Sequence, residues 1–447
     1  MLSMPYDVVI IGGSTSGAFL AKRLAEKGFL VKVIEKSDKE NVGRKMDIVH
    51  IARAEFDRFD LPRVKKGSPE WGFEFEENYT ASPTNKYPKK TFVPMVGLHM
   101  HEYVLLMNKQ AETAGAEFEY SATFTDFIYK DDKIVGVKYE AEGEEKDAYC
   151  KVVVDCSGIP SVARRKLPDS FGMEKFEITP EDMFYVILYY VKFKETPKNT
   201  GWPYHKSWIA PSNDKDGKIL GIGACHSYEY AEKMFERFLS DVKLPEYKLI
   251  KTERGMTPYT RPPFTLVADN FIAAGDAACL TKPNNGEGIT SSMVQLEIAA
   301  QVLEEALMVG DCSREKLWPI NVRYNKEQGA DFSSTRAILT KAVSANKKEF
   351  EYFFKKDIIF SEKFLNSATV GPEVKVSVKD ALHIGFGILG ALLIGKLSLK
   401  TVKNLVSGLM LGGKIKKHYL NFPVTPVGFE EWSKKALKLW NKVGKMQ

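Results

Sequence analysis

The chain has 447 residues, of which 44% are hydrophobic and 27% are charged, with 33 glycines and 21 prolines. This composition excludes intrinsic disorder, a collagen helix and a coiled coil, and the length suggests about two to four domains. The net charge is +6, but residues 396–447 carry eleven lysines and two acids, whereas the first 395 residues carry a net charge of −3. A basic body that binds nucleic acid is therefore not expected, and the basic C-terminal segment needs its own explanation.

The spacing of the cysteines and the length of the apolar segments indicate the cellular compartment in which the protein is expected. The five cysteines lie far apart and none belongs to a Cys/His cluster with metal-ligand spacing, so no metal site is predicted. Reduced thiols favour a cytoplasmic location. A strand is predicted from the first residues onward, so a signal peptide is not expected. The longest uncharged apolar run, Ala381–Gly395, is shorter than the ~20 residues of a spanning helix.

The N-terminus has the pattern of a βαβ unit that binds a dinucleotide. The apolar run Asp7–Ile11 predicts a buried parallel strand, Gly12–Gly17 a glycine turn and Ala18–Lys27 a helix. Backbone N–H groups at such a turn can meet a pyrophosphate. A second strand, Leu30–Ile34, ends at Glu35, where a carboxylate can bond ribose hydroxyls. The middle glycine of the usual G-x-G-x-x-G pattern is a serine here, so the motif is imperfect.

Three later segments indicate which dinucleotide is bound. Lys151–Gly158 and Asn270–Ala278 are apolar strands that end in small-residue turns, and the glycine-containing turn Lys282–Ile289 precedes a helix predicted over Thr290–Met308. In this order the segments resemble a flavoprotein family that includes aromatic hydroxylases and geranylgeranyl reductases. The resemblance implies FAD as the cofactor, with the carboxylate of Asp276 on a ribityl hydroxyl. No second glycine fingerprint follows a later strand, so a separate NAD(P)H domain is not expected.

The turn before the long helix has a physical argument of its own. Gly286 and Gly288 place backbone N–H groups at the positive end of a helix dipole, which suits an anion such as a reduced flavin. The resemblance also places Thr123 on a strand that offers backbone bonds to adenine. The predicted cofactor-binding residues are Gly12, Gly13, Ser14, Ser16, Gly17, Glu35, Lys36, Thr123, Gly158, Gly275, Asp276, Gly286, Gly288 and Ile289.

Within this family the chain is most similar to archaeal geranylgeranyl reductases, with two departures near the flavin. The segment 42–59 has the spacing of the loop and helix after the second strand, but Asp47 and Ile48 stand where the family has a Cys-Gly pair. The helix predicted over 100–115 has Leu105 where the family usually has an arginine. Asp47 could act as an acid if burial raised its pKa; an exposed acid or a ribityl contact is the alternative. The catalytic residues otherwise stay unknown.

The family's substrate motif, P-x-x-Y-x-W-x-F-P, falls on Pro203–Pro211. Trp208 agrees with this motif, whereas Lys206 replaces the tyrosine and Ala210 replaces the phenylalanine. We expect these three residues at the substrate, although Trp208 could equally be a core aromatic of a sheet. A smaller and more polar wall implies a different substrate shape within the lipid-like class, or a different reaction.

The middle and C-terminal segments complete the prediction. An antiparallel sheet, which in the family covers the substrate cavity, is predicted from the β-rich segment Phe184–Phe193, the segment Lys206–Ile209 and the short strand Lys218–Cys225. Apolar residues between Leu397 and Met410 recur at intervals of three and four, with lysines around them. This pattern is typical of a surface helix on anionic lipid, and also of a helix packed on the body with solvated lysines.

The predicted fold is α/β, with a Rossmann-like FAD-binding domain interleaved with an antiparallel-sheet substrate domain and followed by a helical C-terminal region. The expected limits are 1–170 and 255–335 for the first domain, 171–254 for the second and 336–447 for the helical region.

The resemblance implies an FAD-dependent oxidoreductase that reduces C=C bonds of an apolar polyprenyl or geranylgeranyl lipid-like substrate. Such an enzyme would be cytoplasmic, with peripheral membrane contact left open. A flavin-dependent monooxygenase or halogenase, and a degenerate protein that only binds flavin or lipid, are the alternatives. The electron donor stays open between NADPH and a ferredoxin-like protein.

Overall fold

The computed structural model describes residues 6–44, 46–176, 178–214, 216–342, 345–370 and 378–444. Within these residues the strands belong to two large sheets. The strands are β1 Tyr6–Ile11, β2 Val31–Ile34, β3 Ile48–Ala52, β4 Trp71–Thr80, β5 Lys89–His99, β6 Glu117–Glu119, β7 Ala122–Lys130, β8 Lys133–Ala141, β9 Glu144–Asp155, β10 Met183–Phe193, β11 Thr200–Trp202, β12 Ser207–Pro211, β13 Gly217–Cys225, β14 Tyr247–Pro258, β15 Val267–Ala268 and β16 Phe271–Ala273.

Helices connect the strands of the first sheet and form the C-terminal region. The α-helices are α1 Thr15–Ala25, α2 Arg53–Arg58, α3 Met100–Thr113, α4 Tyr228–Asp241, α5 Ile289–Val309, α6 Arg314–Leu317, α7 Pro319–Tyr324, α8 Ala330–Ala342, α9 Lys347–Lys355, α10 Glu362–Val370, α11 Val378–Leu393, α12 Leu399–Leu420 and α13 Phe429–Val443. Single turns of 3-10 helix include Arg164–Lys166 and Gly275–Ala278. The predicted βαβ unit and the long helix after residue 289 are therefore confirmed as β1–α1–β2 and α5.

The first sheet has a parallel core in the order β6-β2-β1-β9-β16. Val8, Val9 and Ile10 on β1 are fully buried, as expected of a central strand covered on both faces. An antiparallel pair, β7 and β8, extends from β9, and β15 pairs antiparallel with β16. Because the core strands are parallel, the turns that follow β1, β9 and β16 meet at one edge of the sheet.

The second sheet has the order β14-β10-β13-β12-β11-β4-β5-β3 and is antiparallel except where β11 pairs parallel with β4. The predicted strands β10, β12 and β13 are confirmed as its centre. Three further strands come from residues 48–99, which the expected limits placed in the first domain. The structure thus interleaves the two sheets more deeply than the sequence suggested, and the domain limits stay a prediction.

The two faces of the second sheet have different partners. One face packs through Ile187, Leu220 and Ile222 on Phe238 of α4. The opposite face carries a second apolar cluster and turns toward the first sheet, where the hydroxyls of Thr257 and Thr281 lie 2.9 Å apart. This opposite face is therefore the one that adjoins the turns of the parallel sheet.

The C-terminal region confirms the predicted helix but not its single apolar face. Leu397 and Leu405 are buried in a cluster with α9 and α11, whereas Leu399 and Leu409 are exposed. The apolar residues of α12 cover more of the helix surface than its packing on the body can bury. Those on one side, such as Leu405, pack on the body, and those on the other side, such as Leu409, face outward. Among the residues that the structure describes, no helix combines the length and apolarity that crossing a bilayer requires.

Candidate active site

The turn after β1 is built so that backbone atoms can approach one another closely. Gly12 has a φ of +105°, a conformation that L side chains rarely adopt, and an added Cβ there would overlap the carbonyl oxygen of Cys156. An added Cβ at Gly17 would overlap the carbonyl oxygen of Gly12. Ser14 lies at the N-cap of α1 and makes no side-chain cap hydrogen bond. The first-turn N–H groups of α1 therefore stay available for an anion.

The end of β2 places the acidic residue of the motif against this turn. The carboxylate of Glu35 is buried and accepts hydrogen bonds from the N–H groups of Gly13 at 2.7 Å and Ser37 at 2.8 Å. The carbonyl oxygen of Glu35 accepts from Ala122, so the exposed Thr123 lies on the neighbouring strand. Lys36 is exposed beside them. The structure thus brings together the residues predicted at the adenosine end.

The turns after β9 and β16 lie at the same edge of the parallel sheet as the turn after β1. Gly275 has a φ of +60°, and a Cβ there would come within 2.7 Å of Ser16 Oγ. Asp276 follows on a 3-10 turn, with its Oδ1 3.2 Å from the position of a Cβ on Gly288. Gly158, with a φ of +75°, follows β9. The contact of Gly275 with Ser16, and that of Gly12 with Cys156 just before Gly158, place both later turns beside the start of α1.

The start of α5 is less open to an anion than the sequence suggested. Gly288 is its N-cap and Ile289 its first residue, one position before the predicted start at Thr290. The carboxylate of Glu287, however, accepts the N–H of Thr290 at 2.6 Å. Burial raises the pKa of this carboxyl group, although the bond from Thr290 and the charge of Lys282 oppose the shift. The positive helix end is thus partly satisfied by the chain itself.

Asp47 lies at the entry to β3 in a polar network. Its Oδ1 is 2.8 Å from His99 Nδ1, and its Oδ2 accepts from Lys251 Nζ at 3.2 Å. Burial alone would raise the pKa of Asp47, but the bonds from His99 and Lys251 outweigh it and lower the pKa. The condition for an acid, a raised pKa, is therefore not met, and the structure holds Asp47 as a carboxylate.

One face of the second sheet carries a largely buried apolar cluster next to these turns, which we call the apolar floor. Large side chains lie flat over glycines of neighbouring strands: Trp208 over Gly221, and Met46 over Gly255. A Cβ on either glycine would overlap the covering side chain. The floor consists of Met46, Ile48, Phe73, Phe75, Val186, Leu188, Tyr190, Trp208, Ala210 and Ile219.

The three predicted substrate residues occupy different places. Trp208 and Ala210 are neighbours on the floor, and Ala210 is 7% exposed. Lys206 precedes them in a turn with a φ of +54°, and its carbonyl oxygen accepts the N–H of Gly223. Its charge acts on the thiol of Cys225 at the end of β13. Lys206 therefore lies at the end of the floor rather than on it.

Sequence reasoning missed the partners that hold this polar rim. His99 and Lys251 contact Asp47, and Glu253 accepts from Lys251 at 2.8 Å and from the Tyr190 hydroxyl at 2.9 Å. These residues lie 52 to 206 positions from Asp47 in the chain. The pairing of strands that are distant in the chain brings these residues together, and no local sequence motif predicts such a pairing.

The cofactor suggested by the motifs fits the turns. Side chains on Gly12 and Gly17 would collide with backbone, so these positions require glycine and the turn is as tight as a turn that binds a pyrophosphate through backbone N–H groups. No cluster of three or more metal-ligating side chains occurs in the part of the chain that the structure describes. Small turns, free first-turn N–H groups and a buried ribose-side carboxylate are the donor set that an FAD pyrophosphate and ribose require.

The comparisons with known proteins agree with this geometry. The profile of the family described as FAD binding domain matches residues 5–209. A digeranylgeranylglycerophospholipid reductase of Sulfolobus acidocaldarius is 26% identical over 98% of this chain and 97% of its own length.

Solved structures give the same fold. A geranylgeranyl bacteriochlorophyll reductase-like protein of Thermoplasma acidophilum superposes with a TM-score of 0.71 at 17% identity, covering 87% of this chain and 99% of its own. The flavin-dependent brominase Bmp2 gives a TM-score of 0.60 at 18% identity, covering 97% and 100%. The chain is thus similar in sequence and in fold to FAD-dependent reductases of the geranylgeranyl reductase type, and its N-terminal part matches an FAD-binding domain.

Proposed function

We propose that the chain reduces C=C bonds of a polyprenyl lipid, with FAD as the redox cofactor. The observation that carries the proposal is the apolar floor, which lies beside the cofactor turns through the contact between Thr257 and Thr281. Similarity over almost the whole length to a digeranylgeranylglycerophospholipid reductase supports the same substrate class. When bound, reduced FAD supplies the hydride.

The chain's own contribution is to bind and to orient. The proposed cofactor contacts are the turn Gly12–Gly17, the carboxylates of Glu35 and Asp276, and the N–H groups of Gly288 and Ile289. The N–H of Gly286, which the sequence also suggested, instead donates to the carbonyl oxygen of Lys282. The proposed contacts fix the position of the cofactor relative to the second sheet. Because the turns are backbone-built and closely packed, they hold that position without side-chain rearrangement.

The floor would hold the isoprenoid chain. Trp208 and Ala210 lie on this surface, and because Gly221 has no side chain, the Trp208 ring packs close against the sheet. An apolar surface of this kind excludes water and favours long hydrocarbon over polar ligands. The polar rim of Asp47, His99 and Lys251 marks where the floor ends.

We further propose that the C-terminal helices bring the enzyme to a membrane surface. Phe386 and Leu393 on α11 are 70% and 78% exposed, and Leu399 on α12 is 75% exposed. Exposed lysines, among them Lys396 and Lys400, lie beside them. Apolar side chains with flanking lysines are the composition of an interfacial helix on anionic lipid. Flotation with anionic vesicles should recover the protein at low salt, and less of it at high salt.

The reductase activity can be tested directly. Full-length protein loaded with FAD and reduced anaerobically with dithionite would be incubated with digeranylgeranylglycerol phosphate. We expect mass spectrometry to show a gain of one hydrogen molecule for each reduced double bond. A protein that retains and reduces FAD, binds the lipid and leaves its mass unchanged would contradict the proposal. Consumption of NADPH and oxygen with an aromatic substrate would instead support a monooxygenase.

A further inference from the structure

Arg336 on α8 is a buried guanidinium without a carboxylate partner among the residues that the structure describes. The residue is 6% exposed. Its Nη2 donates to the carbonyl oxygen of Thr281 at 3.2 Å, while its Nη1 has no hydrogen-bond partner. The titratable side chains that act on it are neutral near pH 7: Tyr259, Cys279, Tyr324 and Tyr419.

A charge in this position requires an explanation. Burial lowers the pKa of Arg336, yet a guanidinium stays protonated in proteins. A buried cation without an anion loses its hydration and gains no compensating attraction, so it destabilises the fold. A guanidinium that is nine-tenths buried and keeps a free donor therefore points to an anionic ligand.

The free donor borders a cavity that can take such a ligand. The cavity has about 250 Å³ of space, part of it open to solvent, between α8, α13 and the segments near Arg261 and Cys279. Arg261, the other cation on its wall, already makes two 2.8 Å bonds to the carboxylate of Glu174. Arg336 Nη1 is thus the cationic donor left for a ligand, beside the hydroxyl-bearing Ser333.

The cavity adjoins the end of the apolar floor. The Arg336 guanidinium lies 5.0 Å from the centre of the Tyr259 ring, which is 5.6 Å from the ring of Phe184. Phe184 lies over Gly223, two residues along β13 from the glycine that Trp208 covers. A molecule with its chain on the floor could therefore place one end near Arg336.

We propose that Arg336 anchors a site for a phosphate-class oxyanion, the headgroup of the lipid whose chain lies on the apolar floor. The inference rests on the proposed function and deepens it, because it names the end of the substrate that sets its orientation. A guanidinium presents its donors in a plane that matches two oxygens of one phosphate, which makes arginine well suited to this group. A free phosphate ion has the same chemistry and would be the other source.

The test measures binding rather than turnover. FAD-loaded full-length protein, checked by its flavin absorbance, would be titrated with inorganic phosphate, dihexanoyl phosphatidic acid and dihexanoylglycerol. We expect phosphatidic acid to raise the Tm of the wild type and dihexanoylglycerol to have little effect. Arg336→Met should weaken phosphatidic acid binding by about tenfold or more. In anion-free buffer its Tm should equal or exceed that of the wild type, because the unpaired charge is gone.

The controls separate a ligand site from a structural residue. Arg63→Met removes an exposed guanidinium and should change neither binding nor Tm. Arg336→Lys keeps the charge, and should fold and bind more weakly if Arg336→Met fails to fold. Equal affinities for phosphate and phosphatidic acid would identify the free ion as the source. The proposal is wrong if dihexanoylglycerol binds as well as phosphatidic acid, or if Arg336→Met binds as the wild type does. Since turnover is not measured, these outcomes leave the reductase proposal to its own test.

Discussion

The cofactor turns and the apolar floor both depend on glycine, but for opposite reasons. At the turns, Gly12 and Gly17 lack side chains so that backbone can approach backbone and a ligand can approach both. On the floor, Gly221 and Gly255 lack side chains so that Trp208 and Met46 can lie flat across them. The first arrangement keeps the backbone tight at the turn where we propose that the cofactor binds, and the second fills a space with the protein's own side chains. Their loss should therefore have different consequences.

The largest expected effect follows from closing the cofactor turn. Gly17→Ala puts a methyl group against the carbonyl oxygen of Gly12, which must move and distort the start of α1. We expect the purified variant to lose its FAD, with a free energy of unfolding lowered by about 1–3 kcal/mol. Flavin absorbance and thermal denaturation measure these effects.

The matched control is a glycine with room for a methyl group. An added Cβ on Gly413, inside α12, meets no atom within 4 Å. Gly413→Ala should keep its FAD and gain up to about 1 kcal/mol from helix propensity. If Gly17→Ala retained FAD as Gly413→Ala does, the turn Gly12–Gly17 would not be the cofactor-binding turn.

A smaller effect, confined to turnover, is expected on the floor. Gly221→Ala would push the Trp208 ring away from the sheet, on the side where we propose that the lipid lies. We expect kcat/KM for the polyprenyl lipid to fall by about tenfold, equivalent to about 1.4 kcal/mol, while FAD is retained. Gly201, on the strand that pairs with Trp208 from the other side, has room for a Cβ, so Gly201→Ala should leave turnover unchanged.

This outcome would separate the two roles of glycine. Loss of FAD from Gly221→Ala would mean that the floor supports the cofactor directly. Unchanged turnover would mean that the substrate does not use the surface near Trp208. Either result would contradict the division of labour inferred from the packing.

The same contrast explains what the sequence could predict. The turn Gly12–Gly17, Glu35 and the Gly-Asp pair are local patterns whose spacing follows from one βαβ geometry, so the parallel sheet and its cofactor edge were predictable. The floor depends on cross-strand pairs such as Trp208 with Gly221, and on contacts between distant parts of the chain, such as Met46 with Gly255. Residues 48–99 joined the second sheet for the same reason: antiparallel partners at long range leave no local spacing to detect.

The charge of Asp47 was a further point that the sequence could not decide. Its pKa depends on whether burial or hydrogen-bonding partners dominate, and those partners, His99 and Lys251, come from β5 and β14. A loop acid has no sequence feature that specifies these partners. The network also shows that the rim of the floor is a structural ion-pair site at the very position where the family resemblance suggested chemistry.

The smallest expected effect tests that rim through pH. Because the folded-state pKa of Asp47 is lowered, its contribution to stability is present above the unfolded-state pKa of about 3.9 and is lost as pH falls through the folded value. The side chain is 37% exposed, so we expect Asp47→Asn to cost only about 0.5 kcal/mol. That difference should stay constant between about pH 5 and pH 8 and shrink below about pH 4. Thermal denaturation across pH measures it, with the exposed Asp147→Asn as control. A difference that appeared only as pH rose through neutrality would mean that Asp47 is protonated in the folded protein, and would restore it as a candidate acid.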